Sequence, residues 1–161
     1  MKYQKTKINT KLDIIVKDKK RELVNLKKLL PLKELKRKIA IKEHKRHKIR
    51  NFGLALKNKN KMSLIAEIKK ASPSLGDINT EVDIIKQAKN YEKYRANAIS
   101  VLADSHFKGD INFLEKIRHA TTLPILRKDF IFDPYQIYET KAMGASCTLL
   151  IVAILDKVLL S

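Results

Sequence analysis

Three charged residues stand at the ends of apolar stretches that otherwise have the composition of buried strands. Glu67 and Lys69 close the stretch "LIAEIK" (64–69), and Lys128 closes "PILRK" (124–128). Because strand side chains alternate between the two faces of a sheet, Glu67 and Lys69 point to the same side. Charges on an otherwise apolar strand face are costly unless they are paired or used in a site. Amines and a carboxylate can bind an anion and transfer a proton, so these residues form the candidate site.

A purely structural explanation of the same residues is a salt bridge between Glu67 and Lys128 at the strand ends. The two explanations overlap, because functional lysines often lie beside a carboxylate. Leu126, Lys128 and Phe130 share one face of their strand, so a lysine and an aromatic ring are expected to project together.

A repeated strand–helix pattern that begins at Leu64 must position these residues. Such repeats predict parallel strands joined by right-handed crossovers, in an open doubly wound α/β sheet or a closed barrel. No glycine-rich loop follows the first strand, which argues against a dinucleotide site. In a (β/α)8 barrel, inward side chains at the carboxyl ends of the strands form the site, and Glu67, Lys69 and Lys128 occupy such positions. The predicted strands lie near 64–69, 98–103, 124–129 and 147–153, and the predicted helices at about 82–95, 111–121 and 134–143.

The first 61 residues differ from the rest of the chain in charge. They contain 22 Lys and Arg against 5 Asp and Glu, whereas residues 62–161 contain 13 against 12, so the net charge of +18 belongs almost entirely to this segment. Its apolar residues recur at helical spacing and predict helices over 11–30, near 32–40 and over 51–57. We therefore divide the chain into a basic helical extension, 1–61, and a strand–helix region, 62–161. Nucleic acid is a possible partner for such charge, but lysines scattered around helices with few interleaved aromatic residues indicate solvated helix faces.

Length and composition set further bounds on function. The chain of 161 residues can bury a sizeable core. Its longest apolar run, 148–155, is far shorter than the ~20 residues of a membrane helix, and the N-terminus "MKYQKTKINT" lacks the apolar core of a secretory signal. The single cysteine, Cys147, is expected to be a buried and inert thiol. We expect a cytoplasmic protein with no membrane partner.

Four ordered segments of the sequence resemble the indole-3-glycerol-phosphate synthase family. They are "LIAEIKKASPSLGDI" (64–78), "AISVLAD" (98–104), "LPILRKDFIFDPYQIYE" (123–139) and "GASCTLLIVAIL" (144–155). The segment "TKLDIIVKDKKRELVNLKKLLPLKEL" resembles the family's helical N-terminal extension. The resemblance implies a (β/α)8 TIM barrel preceded by such an extension, in the tryptophan branch of amino-acid biosynthesis.

The resemblance also implies a lyase reaction, namely ring closure, decarboxylation and dehydration of 1-(2-carboxyphenylamino)-1-deoxyribulose 5-phosphate, an anionic phosphorylated aromatic substrate. It implies Lys128 as the general acid on the departing carbonyl oxygen and Lys69 as the cation for the substrate carboxylate. Glu67 would fix the lysines and the polar groups of the substrate. No metal and no organic cofactor is implied. The implied substrate contacts are Ser72 at the phosphate and, around the aromatic ring, Phe107, Phe130 and Leu150.

The resemblance covers about residues 10–155, whereas a whole barrel takes about 250 residues. We therefore expect the chain to correspond to a barrel truncated to about its first four strand–helix units, and to be a catalytically incomplete fragment by itself. A half barrel has open sheet edges and an exposed apolar face, so self-association is expected. The alternative is a non-enzymatic basic interaction module that binds nucleic acid or an acidic partner through residues 1–61.

Overall fold

The structure, a computed structural model, consists of two compact units, Met1–Pro31 and Leu32–Ser161. Helix α1 belongs to the first unit, and helices α2 and α3 belong to the same unit as the sheet. The predicted domain division after residue 61 stays a prediction. The residues described are 10–43, 50–57, 61–72, 76–77 and 82–156.

The N-terminal helices begin and end at recognisable signals. Thr10 caps α1, since its hydroxyl accepts a hydrogen bond from the Asp13 N–H and the Asp13 carboxylate accepts one from the Thr10 N–H. The amide oxygen of Asn51 accepts from the Leu54 N–H and caps α3. The three helices are α1 (Lys11–Leu29), α2 (Leu32–Glu43) and α3 (Phe52–Leu56).

Four parallel strands form the main sheet, which confirms the predicted α/β architecture. The last strand is shorter than predicted, because the chain leaves the sheet after Thr148 and makes a 3₁₀ turn at Val152–Ile154. A small antiparallel pair, β2 (Ala71–Ser72) with β3 (Gly76–Asp77), was not expected from the repeat pattern. In sheet order the main strands are β1 (Ile65–Ile68), β4 (Ala98–Leu102), β5 (Ile125–Lys128) and β6 (Cys147–Thr148).

One helix follows each of the first three strands of the main sheet. The helix after β5 starts with a capping box of Asp133 and Gln136, with Pro134 at its first position, and it ends before Gly144, whose φ is 80°. Helix α4 packs against α5, and α6 packs against α2. The helices are α4 (Ile84–Lys93), α5 (Asn112–Ala120) and α6 (Pro134–Ala142).

The two faces of the sheet differ in burial. In β5, Ile125 and Arg127 are buried on the face covered by helices, whereas Leu126 and Lys128 are half-buried on the other face. In β1, Glu67 is likewise more exposed than its neighbour Ile68. We call this second side the open face. The core under the helices contains Ile68, Ile99, Val101, Leu114, Ile117 and Ile125.

Candidate active site

The candidate site lies on the open face, where the side chains of Glu67 in β1 and Lys128 in β5 meet. Lys128 Nζ donates a 2.6 Å hydrogen bond to Glu67 Oε2. Strand β4 lies between these two strands, and its Ser100 pairs with Glu67 on one side and with Leu126 on the other. Because Lys128 is two residues beyond Leu126, its long side chain reaches back across β4 to Glu67.

Lys69 brings a second amine to the same carboxylate. Its Nζ lies 3.2 Å from Glu67 Oε1, so each oxygen of Glu67 is paired with one lysine. We call Glu67, Lys69 and Lys128 the open cluster. The structure thus brings together the three charged residues predicted from the strand ends, and the Glu67–Lys128 salt bridge considered as their structural explanation is part of this arrangement.

The open cluster is accessible to solvent but still influences its carboxylate. The side chains of Glu67, Lys69 and Lys128 are 28%, 33% and 41% exposed. Burial raises the pKa of Glu67, but hydrogen bonds from Lys128 and from Lys69 outweigh burial and hold this pKa below its ordinary value of 4.5. The carboxylate is therefore ionised at neutral pH. Two lysines around one carboxylate leave a formal charge of +1 on a surface that a small anion can reach.

A hydrogen bond from helix α4 fixes the backbone beneath this cluster. The hydroxyl of Tyr91 donates to the carbonyl oxygen of Glu67 at 2.8 Å. Tyr91 is partly buried against the core under the helices. The central carboxylate of the open cluster is therefore attached to a strand that is held from the helix side.

Two aromatic rings meet beside the ends of β4 and β5. Phe107 and Phe130 are stacked, with ring centroids 6.3 Å apart and an interplanar angle of 29°. Phe107 ends a short 3₁₀ turn in which the His106 N–H donates to the Asp104 carboxylate at 2.9 Å. The loop then passes close to the strand, since a Cβ at Gly109 would lie only 2.5 Å from the Leu102 carbonyl oxygen. Glycine at position 109 is therefore needed for the loop that presents Phe107.

The other two predicted substrate contacts lie elsewhere on the chain. Ser72 belongs to β2 and pairs with Gly76, and its side chain lies outside the described residues. Leu150 follows β6 and is 46% exposed. The strand predicted to carry it ends at Thr148, so Leu150 lies outside the sheet. Within the described residues, neither Ser72 nor Leu150 makes a recorded contact with the open cluster.

Behind the site, on the helix-covered face, Arg127 makes a set of buried polar contacts that the sequence did not predict. Its Nε and Nη2 donate to Asp129 Oδ2 at 3.0 and 2.8 Å. Its Nη1 donates to Glu139 Oε2 at 2.8 Å, and to Thr140 Oγ1 and the Gln136 carbonyl oxygen, both at 3.1 Å. The side chains of Arg127, Asp129 and Glu139 are only 3%, 1% and 9% exposed. We call these five residues the buried network.

The buried network also holds the turn that follows Lys128. Asp129 Oδ1 accepts a 2.8 Å hydrogen bond from the Phe130 N–H, and Gln136 Nε2 donates to the Phe130 carbonyl oxygen at 3.0 Å. Gln136 Oε1 accepts from the Phe132 and Asp133 N–H groups. Both backbone polar groups of Phe130 are therefore bound. The available sequence signal was the alternation of β5, which puts Arg127 and Asp129 together on the face opposite Lys128.

The described residues offer few other reactive groups. Burial raises the pKa of the Cys147 thiol to about 11, which makes it a poor nucleophile. No three His, Cys, Asp or Glu side chains of the described part of the chain are grouped so that they could hold a metal ion. In the same part, no helix has the length and apolarity needed to cross a membrane. The cytoplasmic location stays a prediction.

The sequence matches one protein family over most of its length. The model of the family described as "Indole-3-glycerol phosphate synthase" matches residues 12–161. Curated relatives with that same name include proteins from Alkaliphilus metalliredigens, 47% identical over 147 residues, from Thermoanaerobacter pseudethanolicus, 48% over 145 residues, and from Legionella pneumophila, 44% over 152 residues.

These matches cover most of this chain but only about half of each relative. They include 91%, 89% and 94% of this chain but 55%, 54% and 57% of the three relatives. The chain thus spans about half the length of the curated relatives that it matches. The family match extends through the open cluster, the aromatic pair and the buried network, and it confirms the resemblance seen in the four ordered sequence segments. The chain belongs to the indole-3-glycerol phosphate synthase family.

Proposed function

We propose that this chain carries the first part of an active site that converts 1-(2-carboxyphenylamino)-1-deoxyribulose 5-phosphate to indole-3-glycerol phosphate, carbon dioxide and water. The observation that carries the proposal is the open cluster, in which one carboxylate binds two partly exposed lysines on the open face of the sheet. The substrate has a carboxylate and a phosphate, and the reaction needs a proton donor at a carbonyl oxygen. The cluster contains groups suited to both needs.

The two lysines divide the work in this proposal. Lys128 is the general acid: its Nζ gives a proton to the C2 oxygen as the aromatic ring attacks that carbon. The amine is then reprotonated from solvent, to which it is 41% exposed, and gives a second proton when the oxygen leaves as water. Lys69 is the cation that binds the substrate carboxylate, which departs as carbon dioxide. Glu67 holds both amines in place, because each of its oxygens accepts from one of them. Positioning of this kind contributes to rate by reducing the entropy lost in reaching the reactive geometry.

The remaining predicted contacts bind the rest of the substrate. Phe107 and Phe130 form a wall for its aromatic ring, which is supported by the stacked ring pair and by the bound backbone of Phe130. Leu150 adds apolar surface to this wall. Ser72 helps to bind the phosphate. Self-association of the chain is a further prediction, whereas the basic-module alternative rests only on the charge of residues 1–61.

A chimera tests the proposed activity. The part of the Alkaliphilus relative that follows its matched segment is joined after Ser161, and formation of the indole product is followed by its fluorescence. We expect turnover, and we expect Lys128→Met to lower kcat/KM by about 10²–10⁴-fold, the usual contribution of a general acid. Lys86→Met is the matched control, because Lys86 is an exposed lysine on α4.

Two results would contradict this proposal. One is a folded chimera that gives no product under conditions in which the intact relative is active. The other is a Lys128→Met chimera that keeps the activity of the Lys86→Met control.

A further inference from the structure

We propose that Arg127 is a positioning residue for Lys128 and Phe130, which it controls from the opposite face of β5 through the buried network. The inference rests on the proposed function for its catalytic consequence. Its structural basis is separate, since it depends on the side chains packed between β5 and α6. Arg127 does not reach the open face, and its role is to set the direction in which its neighbours leave the strand.

The first step of the argument is the alternation of β5. Arg127 and Lys128 are adjacent, so their side chains leave opposite faces of the sheet. The guanidinium of Arg127 is 3% exposed beneath α6, whereas Lys128 is 41% exposed on the open face. Any rotation of this short strand end moves both side chains together. A firm hold on Arg127 therefore limits where Lys128 Nζ can lie.

The second step is the number of bonds on the guanidinium. Arg127 uses three nitrogens to bind two carboxylates, one hydroxyl and one backbone carbonyl oxygen. Its planar fork fixes direction as well as distance, which a lysine cannot do. Three of these partners, Gln136, Glu139 and Thr140, belong to α6, and Asp129 belongs to the turn. The fork thus ties the carboxyl end of β5 to the helix that follows it.

The third step connects the fork to the aromatic wall. Asp129 binds Arg127 through Oδ2 and the Phe130 N–H through Oδ1, so the two bonds share one carboxylate. The Phe130 carbonyl oxygen accepts from the side-chain amide of Gln136, and the backbone carbonyl oxygen of Gln136 accepts from Arg127. Loss of Arg127 therefore loosens both sides of the Phe130 peptide. One buried side chain controls the proposed acid and one ring of the proposed wall.

Chemical labelling of lysines in the 161-residue chain tests this inference without turnover. Brief acetylation, read out by mass spectrometry, gives the rate at Lys128 relative to exposed Lys86. Because the 2.6 Å bond to Glu67 protects Lys128 Nζ, we expect Arg127→Met to raise the relative rate at Lys128 at least threefold. Arg127→Lys keeps the positive charge but lacks the planar guanidinium, so it should give a Lys128 labelling rate between those of the wild type and Arg127→Met.

The matched control is Arg118, an arginine of helix α5 that contacts the chain just before the start of β5. Arg118 donates to the carbonyl oxygens of Leu123 and Thr121, just before β5 begins. Arg118→Met likewise removes a partly buried arginine, but one at the end of β5 remote from Lys128, so it should leave the relative rate unchanged. Because Arg127→Met leaves two buried carboxylates without their cation, Glu139→Gln serves as a milder second variant and should raise the rate by a smaller factor.

The outcomes separate this inference from the proposed function. A folded Arg127→Lys or Glu139→Gln chain with unchanged Lys128 labelling overturns the positioning role, as does an equal rise in Arg118→Met. Raised labelling at Lys128 supports the role even if the chimera has no activity, a result that would overturn only the proposed function. In an active chimera, Arg127→Lys should lower kcat several-fold more than it changes KM.

Discussion

The open cluster and the buried network are both built from charged residues at the carboxyl end of the same sheet, but they meet water differently. In the open cluster, one carboxylate serves two lysines whose side chains are 33% and 41% exposed. In the buried network, one guanidinium serves two carboxylates that are at most 9% exposed. The first has cations that a ligand can approach, and the second has a cation that only the protein can reach.

This difference indicates two kinds of role for charge in one short strand. A sealed ion pair must be almost fully hydrogen-bonded, because a buried charge without a partner is strongly destabilising. An exposed pair contributes little to stability, since water and salt compete with it. We therefore expect substitutions in the open cluster to change activity more than folding, and substitutions in the buried network to change folding first.

The sharpest test of the comparison is Lys128→Ala, measured for both properties. In the chimera, kcat/KM should fall by about 10²–10⁴-fold because the general acid is lost. The free energy of unfolding of the 161-residue chain, from urea denaturation, should change by less than about 1 kcal/mol, because the ion pair is partly exposed. A loss of several kcal/mol in stability would show that Lys128 is needed for folding, and the contrast between the open cluster and the buried network would be wrong.

The second largest effect is expected at Arg127. Arg127→Met should lower the free energy of unfolding by about 3–5 kcal/mol, because two carboxylates remain buried without their cation. The measurement is urea denaturation beside Arg118→Met, which removes a partly buried arginine that donates to the backbone carbonyl oxygens of Leu123 and Thr121. If the two variants lost equal free energy of unfolding, the buried carboxylates would not depend on Arg127 for their stability, and the prediction would be wrong.

A smaller effect is expected where the helix layer supports the open cluster. Tyr91→Phe removes the 2.8 Å hydrogen bond to the Glu67 carbonyl oxygen and keeps the ring. It should lower the free energy of unfolding by about 1 kcal/mol, the usual net value of one such bond. Tyr94→Phe, at an exposed tyrosine near the end of α4, is the control and should have no measurable effect. Identical melting curves for the two variants would contradict the prediction.

The smallest effect is a pH dependence at Glu67. Since the lysine bonds outweigh burial and hold the folded-state pKa of Glu67 below 4.5, the carboxylate adds stability that is complete above about pH 5. That stability is lost as pH falls through the lower, folded-state pKa. The difference in unfolding free energy between wild type and Glu67→Gln should thus shrink on acidification, from a value under about 1 kcal/mol. A difference that grows below pH 4 would reverse the assigned sign.

The sequence predicted the open cluster better than the buried network, and the reason is physical. Glu67 and Lys69 interrupt an apolar strand, so alternation alone puts them on one face. Their meeting with Lys128 follows from parallel strands that end at one sheet edge. Phe107 and the role of each lysine came only from the family resemblance, because nothing in the spacing of Phe107 fixes where its loop turns.

The buried network escaped prediction because its partners are on two different elements. Gln136, Glu139 and Thr140 are polar residues at helical spacing on α6, a pattern that normally indicates a solvated helix face. Only the packing of α6 against the sheet reveals that this face covers Arg127. The shortness of β6 was likewise hidden, since the apolar run 147–153 has the composition of a strand over its whole length.

The single cysteine of the chain gives β6 an internal reporter. Cys147 lies in a two-residue strand at the edge of the sheet, and burial raises its pKa to about 11. At pH 8 only about one such thiol in a thousand is a thiolate, against roughly one in ten at the ordinary pKa of 9.0. A maleimide dye should therefore react faster with molecules in which this strand has frayed than with molecules in which it is paired. The rate of that reaction reports on changes in the opening of the sheet edge, with no residue added to the chain.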